Sequence, residues 1–145
     1  MAQRKSGYKV VEGETYITPK WVWDVLEREY PWLILDAVDP CPAYYKVDWR
    51  DVVSEGKDIA SNPPFTQGQA IAEACLGNQA CALLLPATWD CAKSRVDLCN
   101  NLDAKITLTR RIRWDNLEQK KNGPSSNHAW YVWTPNRASR RLIYR

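Results

Sequence analysis

Asp58-Ile59-Ala60-Ser61-Asn62-Pro63-Pro64-Phe65 is the stretch on which the reading of the fold turns. Ile59 and Ala60 form an apolar, extended lead-in. Neither proline has an N–H; each fixes its own φ near about −65° and pushes the residue before it out of the helical region. Asn62 and Pro63 are therefore held stiff and extended where a strand ends. The chain leaves that strand presenting an amide side chain, a bare backbone carbonyl and a ring.

The flanks of this strand alternate in character. Thr18-Pro19 reads as N-cap and first residue of a helix. Trp21, Val22, Val25, Leu26 and Tyr30 follow at helical spacing, opposite Asp24, Glu27, Arg28 and Glu29. Pro31 ends that helix, and Trp32 to Val38 is a short apolar run suited to a buried parallel strand, with Asp36 and Asp39 at its end. Pro40-Cys41-Pro42 is too proline-rich to continue as strand or helix.

Beyond the central strand, Gln67 to Leu76 reads as a helix stopped by Gly77. Ala80 to Pro86 repeats the buried-strand pattern, and Asp90 to Asn100 reads as a helix capped by Asp90. Ile106 to Leu108 opens a strand that continues through Arg110 to Trp114. Residues 115–127 form a polar loop, long by ordinary standards. Ala129 to Trp133 is strand-like, and 136–145 is a basic tail, with Arg137, Arg140, Arg141 and Arg145 read as surface. Residues 1–15 lack clear periodicity and read as an arm or an edge strand. The alternation predicts a single α/β domain over 1–145 with a mainly parallel sheet and helices on both faces. Ligands of such sheets sit at the carboxyl ends of the strands, which brings Asp36, Asp39 and Asn62 to one edge.

Composition narrows the class. The chain has 145 residues, 45% of them apolar and 26% charged, with eight tryptophans, which is the composition of one globular domain rather than a disordered segment. No apolar run approaches the roughly 20 residues needed to span a bilayer, and the polar start is unlike a signal peptide. A soluble, intracellular (cytoplasmic) protein is expected. Five cysteines without a Cys-x-x-Cys pair, and a single histidine, leave the usual zinc ligand sets incomplete, so free thiols and no metal are expected. His128, beside an apolar strand, reads as structural. The net charge of +3 hides a division: residues 93–145 carry twelve Lys/Arg against four Asp/Glu, and residues 1–92 carry eight against thirteen. A basic half of this kind points to a polyanionic partner.

The parts at Asn62 suit one chemistry. The lone pair of an adenine N6 amine is delocalised into the ring and is a poor nucleophile. The Asn62 side-chain oxygen and the Pro63 carbonyl can accept both N6 hydrogens and favour a more pyramidal nitrogen, stabilising charge that develops only in the transition state. Phe65 can stack on a base swung out of its duplex. The competing reading is a Pro-Pro turn with Phe65 as a core plug.

Thr18-Pro19, Leu35-Asp36, Asn62-Pro63-Pro64-Phe65 and Leu83-Leu84-Leu85-Pro86-Ala87, in that order, resemble the amino-group DNA methyltransferases, most closely the small phage-type Dam-like adenine-N6 enzymes. The resemblance covers roughly 16–135, and the Asn-Pro-Pro-Phe motif is its most specific part. It implies a Rossmann-like methyltransferase fold, reduced in size, that uses S-adenosylmethionine, and it implies a phage or other viral origin. On that resemblance Asn62, Pro63, Pro64 and Phe65 are catalytic, Thr18 and Pro19 lie against the cofactor, Asp36 and Asp39 serve its methionine or ribose end, and Asp48 sits near an adenine. Two features depart from the family: Asp39-Pro40-Cys41-Pro42-Ala43 stands where a glycine-rich turn is common, and about one strand–helix unit is missing between Asp36 and Asp58. The missing unit raises the expectation of a homodimer that completes the sheet.

Lys105, Arg110, Arg111, Arg113, Lys120 and Lys121 form a basic run suited to phosphate contacts, which position a duplex without reading it. DNA is the expected partner, with RNA as the alternative, and the loop at 115–127 is the candidate to enter a groove. Cytosine N4, RNA adenine or a glutamine amide are alternative acceptors, and a binding module that has lost its cofactor is the alternative class.

Overall fold

The computed structural model describes residues 16–40, 47–116 and 126–145. Along the chain, β1 (Tyr16–Ile17) leads into α1 (Lys20–Glu29) and α2 (Pro31–Asp36). Next, α3 (Trp49–Ser54) precedes β2 (Ile59–Ser61), and α4 (Gly68–Cys75) precedes β3 (Cys81–Pro86). The elements α5 (Val96–Asn100), β4 (Ala104–Thr107), β5 (Asp115–Asn116), β6 (His128–Trp133) and β7 (Arg141–Tyr144) follow.

Five strands form one mixed sheet in the order β2-β3-β6-β4-β7, and β1 pairs antiparallel with β5 in a separate ladder. The β2–β3 and β4–β7 pairs are parallel, while β6 runs antiparallel to both of its neighbours. Four of the five strands therefore share one direction, in agreement with the expected α/β class. Because side chains alternate across a strand, β3 and β6 feed two cores at once. Ala82, Leu84, Trp130 and Val132 pack with Val22, Leu26, Tyr30 and Leu33 from α1 and α2 on one face. Cys81, Leu83, Leu85, Tyr131 and Trp133 pack with Val52 of α3, Ile71 and Cys75 of α4 and Leu98 of α5 on the other. A strand buried on both faces reads as continuous apolar sequence, which is why Ala80–Pro86 and Ala129–Trp133 are legible as strands.

Five expectations are corrected. Trp32 to Val38 is not a strand: α2 begins with Pro31 in its first turn, where a missing N–H costs nothing and the fixed φ suits a helix. Leu33, Ile34 and Ala37 are buried while Trp32, Leu35 and Asp36 are exposed, which is helical spacing. Only Val38 joins the sheet, through one parallel bridge to Ile59. The helix expected at Asp90–Asn100 breaks into 3₁₀ turns at Trp89–Cys91 and Lys93–Arg95 before α5. The strand expected through Arg110–Trp114 stops at Thr107. Thr18 is not the N-cap of α1; Pro19 holds that position. Finally, the basic tail is in part an edge strand, β7, held on β4.

Other expectations agree. A 3₁₀ turn at Phe65–Gln67 runs into α4, and Gly77, at φ +79°, follows its last turn. At Gly68 an added Cβ would lie 2.9 Å from Leu85 Cδ2, so a larger residue there requires the Leu85 side chain to shift. The described cysteines, Cys75, Cys81, Cys91 and Cys99, are free thiols. Among the described residues no helix is long and apolar enough to cross a membrane.

A buried carboxylate adds to the ladder that holds β7 on β4. Asp103, fully buried just before β4, accepts from the Tyr30 hydroxyl at 2.5 Å, from Arg137 Nε at 2.8 Å and Nη2 at 2.9 Å, and from the Ser139 N–H at 3.3 Å. Arg141 donates to the Tyr30 hydroxyl at 2.9 Å. Burial alone would raise the Asp103 pKa, but the bonds from Arg137, Tyr30 and Ser139 outweigh it and hold the carboxyl at about 2. Burial first, then the bond to Asp103, pushes the Tyr30 phenol up to about 12. Because the folded-state value of Asp103 lies below the unfolded value of 3.8, its stabilisation is present above that value and is lost as pH falls through about 2. Asp103→Asn is expected to cost about 2–4 kcal/mol in denaturant unfolding at pH 7 and to flatten the loss of stability between about pH 4 and 2.

Candidate active site

Four separate segments meet at the carboxyl ends of β2 and β3. The first is the motif itself. β2 ends at Ser61, paired with Leu83, and the chain leaves the sheet at Asn62. Pro63 is buried, Pro64 and Phe65 are exposed, and Pro64 O accepts from Gln67 N at 2.9 Å, which turns the chain into α4. Phe65 is 50% exposed, so it is no core plug.

The second segment is the start of α1. Asn62 Nδ2 donates to Thr18 Oγ1 at 3.1 Å, across 44 residues of chain. Among the described residues no donor reaches Asn62 Oδ1 or the Pro63 carbonyl, which leaves two acceptors on consecutive residues past the end of β2. The Ser61 hydroxyl, fully buried, also lacks a partner among the described residues.

The third segment is Val38-Asp39-Pro40. Val38 N donates to Asp58 O at 2.9 Å, and Ala60 N donates to Val38 O at 3.1 Å. Asp39 therefore continues past the bridge toward the same edge as Asn62. Asp36 does not: it is exposed in the last turn of α2 and precedes the bridge. Asp48 is also elsewhere, capping α3 by accepting from Arg50 N at 2.9 Å. Of the three carboxylates expected at the site, only Asp39 is at this edge.

The fourth segment runs from Thr109 to Trp114 with Asn127 and His128. The Arg110 guanidinium lies 3.8 Å from the centroid of the Trp21 ring on α1, and Arg111 Nε donates to Asn127 Oδ1 at 3.3 Å. Arg113 is exposed. Lys105, grouped with these by sequence, is withdrawn from the surface. It donates to Asp90 Oδ2 and to Ala87 O, each at 2.8 Å, and sits over the Tyr131 ring. Lys120 and Lys121, and most of the loop at 115–127, lie outside the described residues.

His128 is a feature that its sequence position does not reveal. It opens β6 opposite Pro86, with its ring centroid 5.9 Å from that of Phe65 and 5.3 Å from that of Trp114. The imidazole lies against Phe65, which is half-exposed. Its Nδ1 lies 3.2 Å from the Ser126 carbonyl and so donates, while Nε2 is buried without a partner among the described residues. Comparison with protein-family models, with curated proteins and with solved structures found no match. The site therefore stands on its own geometry: two adjacent acceptors, a half-exposed ring on an aromatic brace, one carboxylate and a basic segment alongside.

Burial lowers the His128 pKa, and the bond to the Ser126 carbonyl only partly opposes it, so the ring is neutral at pH 7. A folded-state value below the unfolded one means that full stability is present above about pH 6.5 and is lost as pH falls through the folded-state value. His128→Phe is expected to remove that pH dependence in thermal unfolding between about pH 7 and 5, while wild type loses stability over the same range.

Proposed function

We propose that this chain is a Rossmann-like, S-adenosylmethionine-dependent methyltransferase that acts on the exocyclic N6 amine of adenine in DNA. The observation that carries the reading is the state of Asn62 and Pro63. The Asn62 amide nitrogen is tied to Thr18, while its oxygen and the Pro63 carbonyl have no donor among the described residues. Two fixed acceptors and no donor suit an –NH₂ group and discriminate against a carbonyl at the same place, because a carbonyl would leave all three oxygens unpaired.

Each N–H of the amine would donate to one of these oxygens. The nitrogen gains positive charge as its new bond forms, and the two carbonyl dipoles would stabilise that charge. Neither oxygen is basic enough to keep the departing proton, which passes to water. Phe65, half-exposed on the His128 brace, would hold the base by stacking, a term worth about 1–3 kcal/mol per base. S-adenosylmethionine would supply the electrophilic methyl group. The residues at this edge that fit it are Pro19, Asp39, whose carboxylate suits an amino group or ribose hydroxyls, and Ser61, whose buried hydroxyl lacks a partner among the described residues; the Thr18 hydroxyl is engaged by Asn62 instead. Exposed Arg111 and Arg113 would contact phosphates.

A second reading, a nucleic-acid-binding relic of the fold, is favoured by one observation. The strand that would carry the cofactor's carboxylate is reduced to the bridge at Val38. Transfer of labelled methyl to duplex DNA, single-stranded DNA and RNA separates the two. Asn62→Ala is expected to lower the transfer rate by about 10²–10³ or more, leaving DNA affinity essentially unchanged. Absence of transfer to all three, with no calorimetric binding of the cofactor, would leave the relic. Arg113→Ala is expected to weaken duplex binding and reduce the slope of log affinity against log salt by about 1, whereas Lys105→Ala leaves the slope unchanged.

A further inference from the structure

We infer that Thr18 is a positioning residue for Asn62, acting on the rate of amine chemistry through the orientation of one amide. The inference rests on the methyl-transfer reading above. An asparagine side chain has an acceptor at one end of its amide and two donors at the other, and only the acceptor end can face an –NH₂ group. Asn62 is one residue past β2, where the ladder no longer holds it, so a contact outside the ladder must hold its amide. The hydrogen bond from Nδ2 to Thr18 Oγ1 at 3.1 Å does so, in the orientation that leaves Oδ1 facing away from Thr18.

Among the described residues the Thr18 hydroxyl makes no other hydrogen bond. A threonine before a helix commonly caps it, but Pro19 occupies the N-cap of α1, and no side-chain bond is made there. The hydroxyl is thus left for Asn62. Its backbone is set by its neighbours on both sides: Tyr16 and Ile17 pair with Asn116 and Asp115, and Pro19 O accepts from Val22 N at 3.1 Å. The basic segment ends in β5, so the ladder that anchors Thr18 is continuous with the residues expected to meet phosphate.

The test compares Thr18→Val, which keeps the shape and loses the hydroxyl, with Thr18→Ser, which keeps it. Thr18→Val is expected to lower kcat by about tenfold to a hundredfold, with the calorimetric Kd for S-adenosylmethionine changed by less than about threefold, and Thr18→Ser restores most of kcat. The Asn62 side-chain amide, observed by ¹⁵N NMR, is expected to show slow solvent exchange in wild type and Thr18→Ser and faster exchange in Thr18→Val. Unchanged kcat in Thr18→Val, or a loss explained by weaker cofactor binding, would overturn the inference. If wild type itself transfers no methyl, the methyl-transfer reading fails. The amide exchange then decides the remaining point: sensitivity to Thr18→Val keeps Thr18 as the residue that orders Asn62, and insensitivity removes it.

Discussion

The architecture depends on one strand that runs against the others. β6 is buried at every position and carries two tryptophans and a tyrosine, each with a polar atom that needs a partner. Trp130 Nε1 donates to Val22 O on one face and Trp133 Nε1 donates to Leu98 O on the other, both at 2.9 Å. The Tyr131 hydroxyl donates toward Pro86 O and Ala87 O, at 3.0 and 3.1 Å. Burial, with the charge of Asp90 nearby, raises its pKa, so the phenol stays a donor. These bonds fix α1, α5 and the exit of β3 to a single strand. A rotation or slip of β6 would strand all three polar groups in an apolar interior, where each costs about 1–3 kcal/mol unpaired. Its register is therefore closely determined.

The site inherits that determination. Antiparallel pairing places the start of β6 at the carboxyl end of β3, so His128 arrives opposite Pro86 and beneath Phe65. A parallel strand in the same place would have brought its far end there instead. The motif is thereby braced by rings from a segment that its own sequence neighbourhood does not contain. α1 adds Thr18 and Trp21 from the other side, the latter beneath the guanidinium of Arg110.

The sequence was most legible where one physical signal acted alone. Two prolines after Asn62 end β2 whatever surrounds them, and runs such as Ala80–Leu85 have no polar face to present. It was least legible where two signals coincide. Trp32–Val38 is apolar enough for a buried strand, yet Leu33, Ile34 and Ala37 also fit a helix, and the proline before them starts one. Asp90 looks like a cap in sequence but spends its carboxylate on Lys105. Arg137 and Arg141 look like solvated charge because their partner, Asp103, is a lone carboxylate between Leu102 and Ala104. Nothing local marks it as the buried end of an ion pair. His128 is similar: an imidazole before an apolar strand shows its role only when the fold supplies Phe65 and Trp114.

The Asp103 cluster also bears on how the fold is reached. Its bonds span large distances along the chain, with Tyr30 and Asp103 73 residues apart and Tyr30 and Arg141 111 apart; separately, Glu29 meets Arg145 across 116. Contacts so remote in sequence carry a large loop-closure entropy, and chains dominated by them fold slowly. Tyr30 and Asp103 must be in place before Arg137 and Arg141 have anything to neutralise. Until then the carboxylate would be an uncompensated charge entering an apolar interior. Electrostatics therefore couple the burial of Asp103 to the docking of β7: removing the strand leaves the carboxylate uncompensated. The attachment of this edge thus depends on two arginines as well as on its ladder with β4.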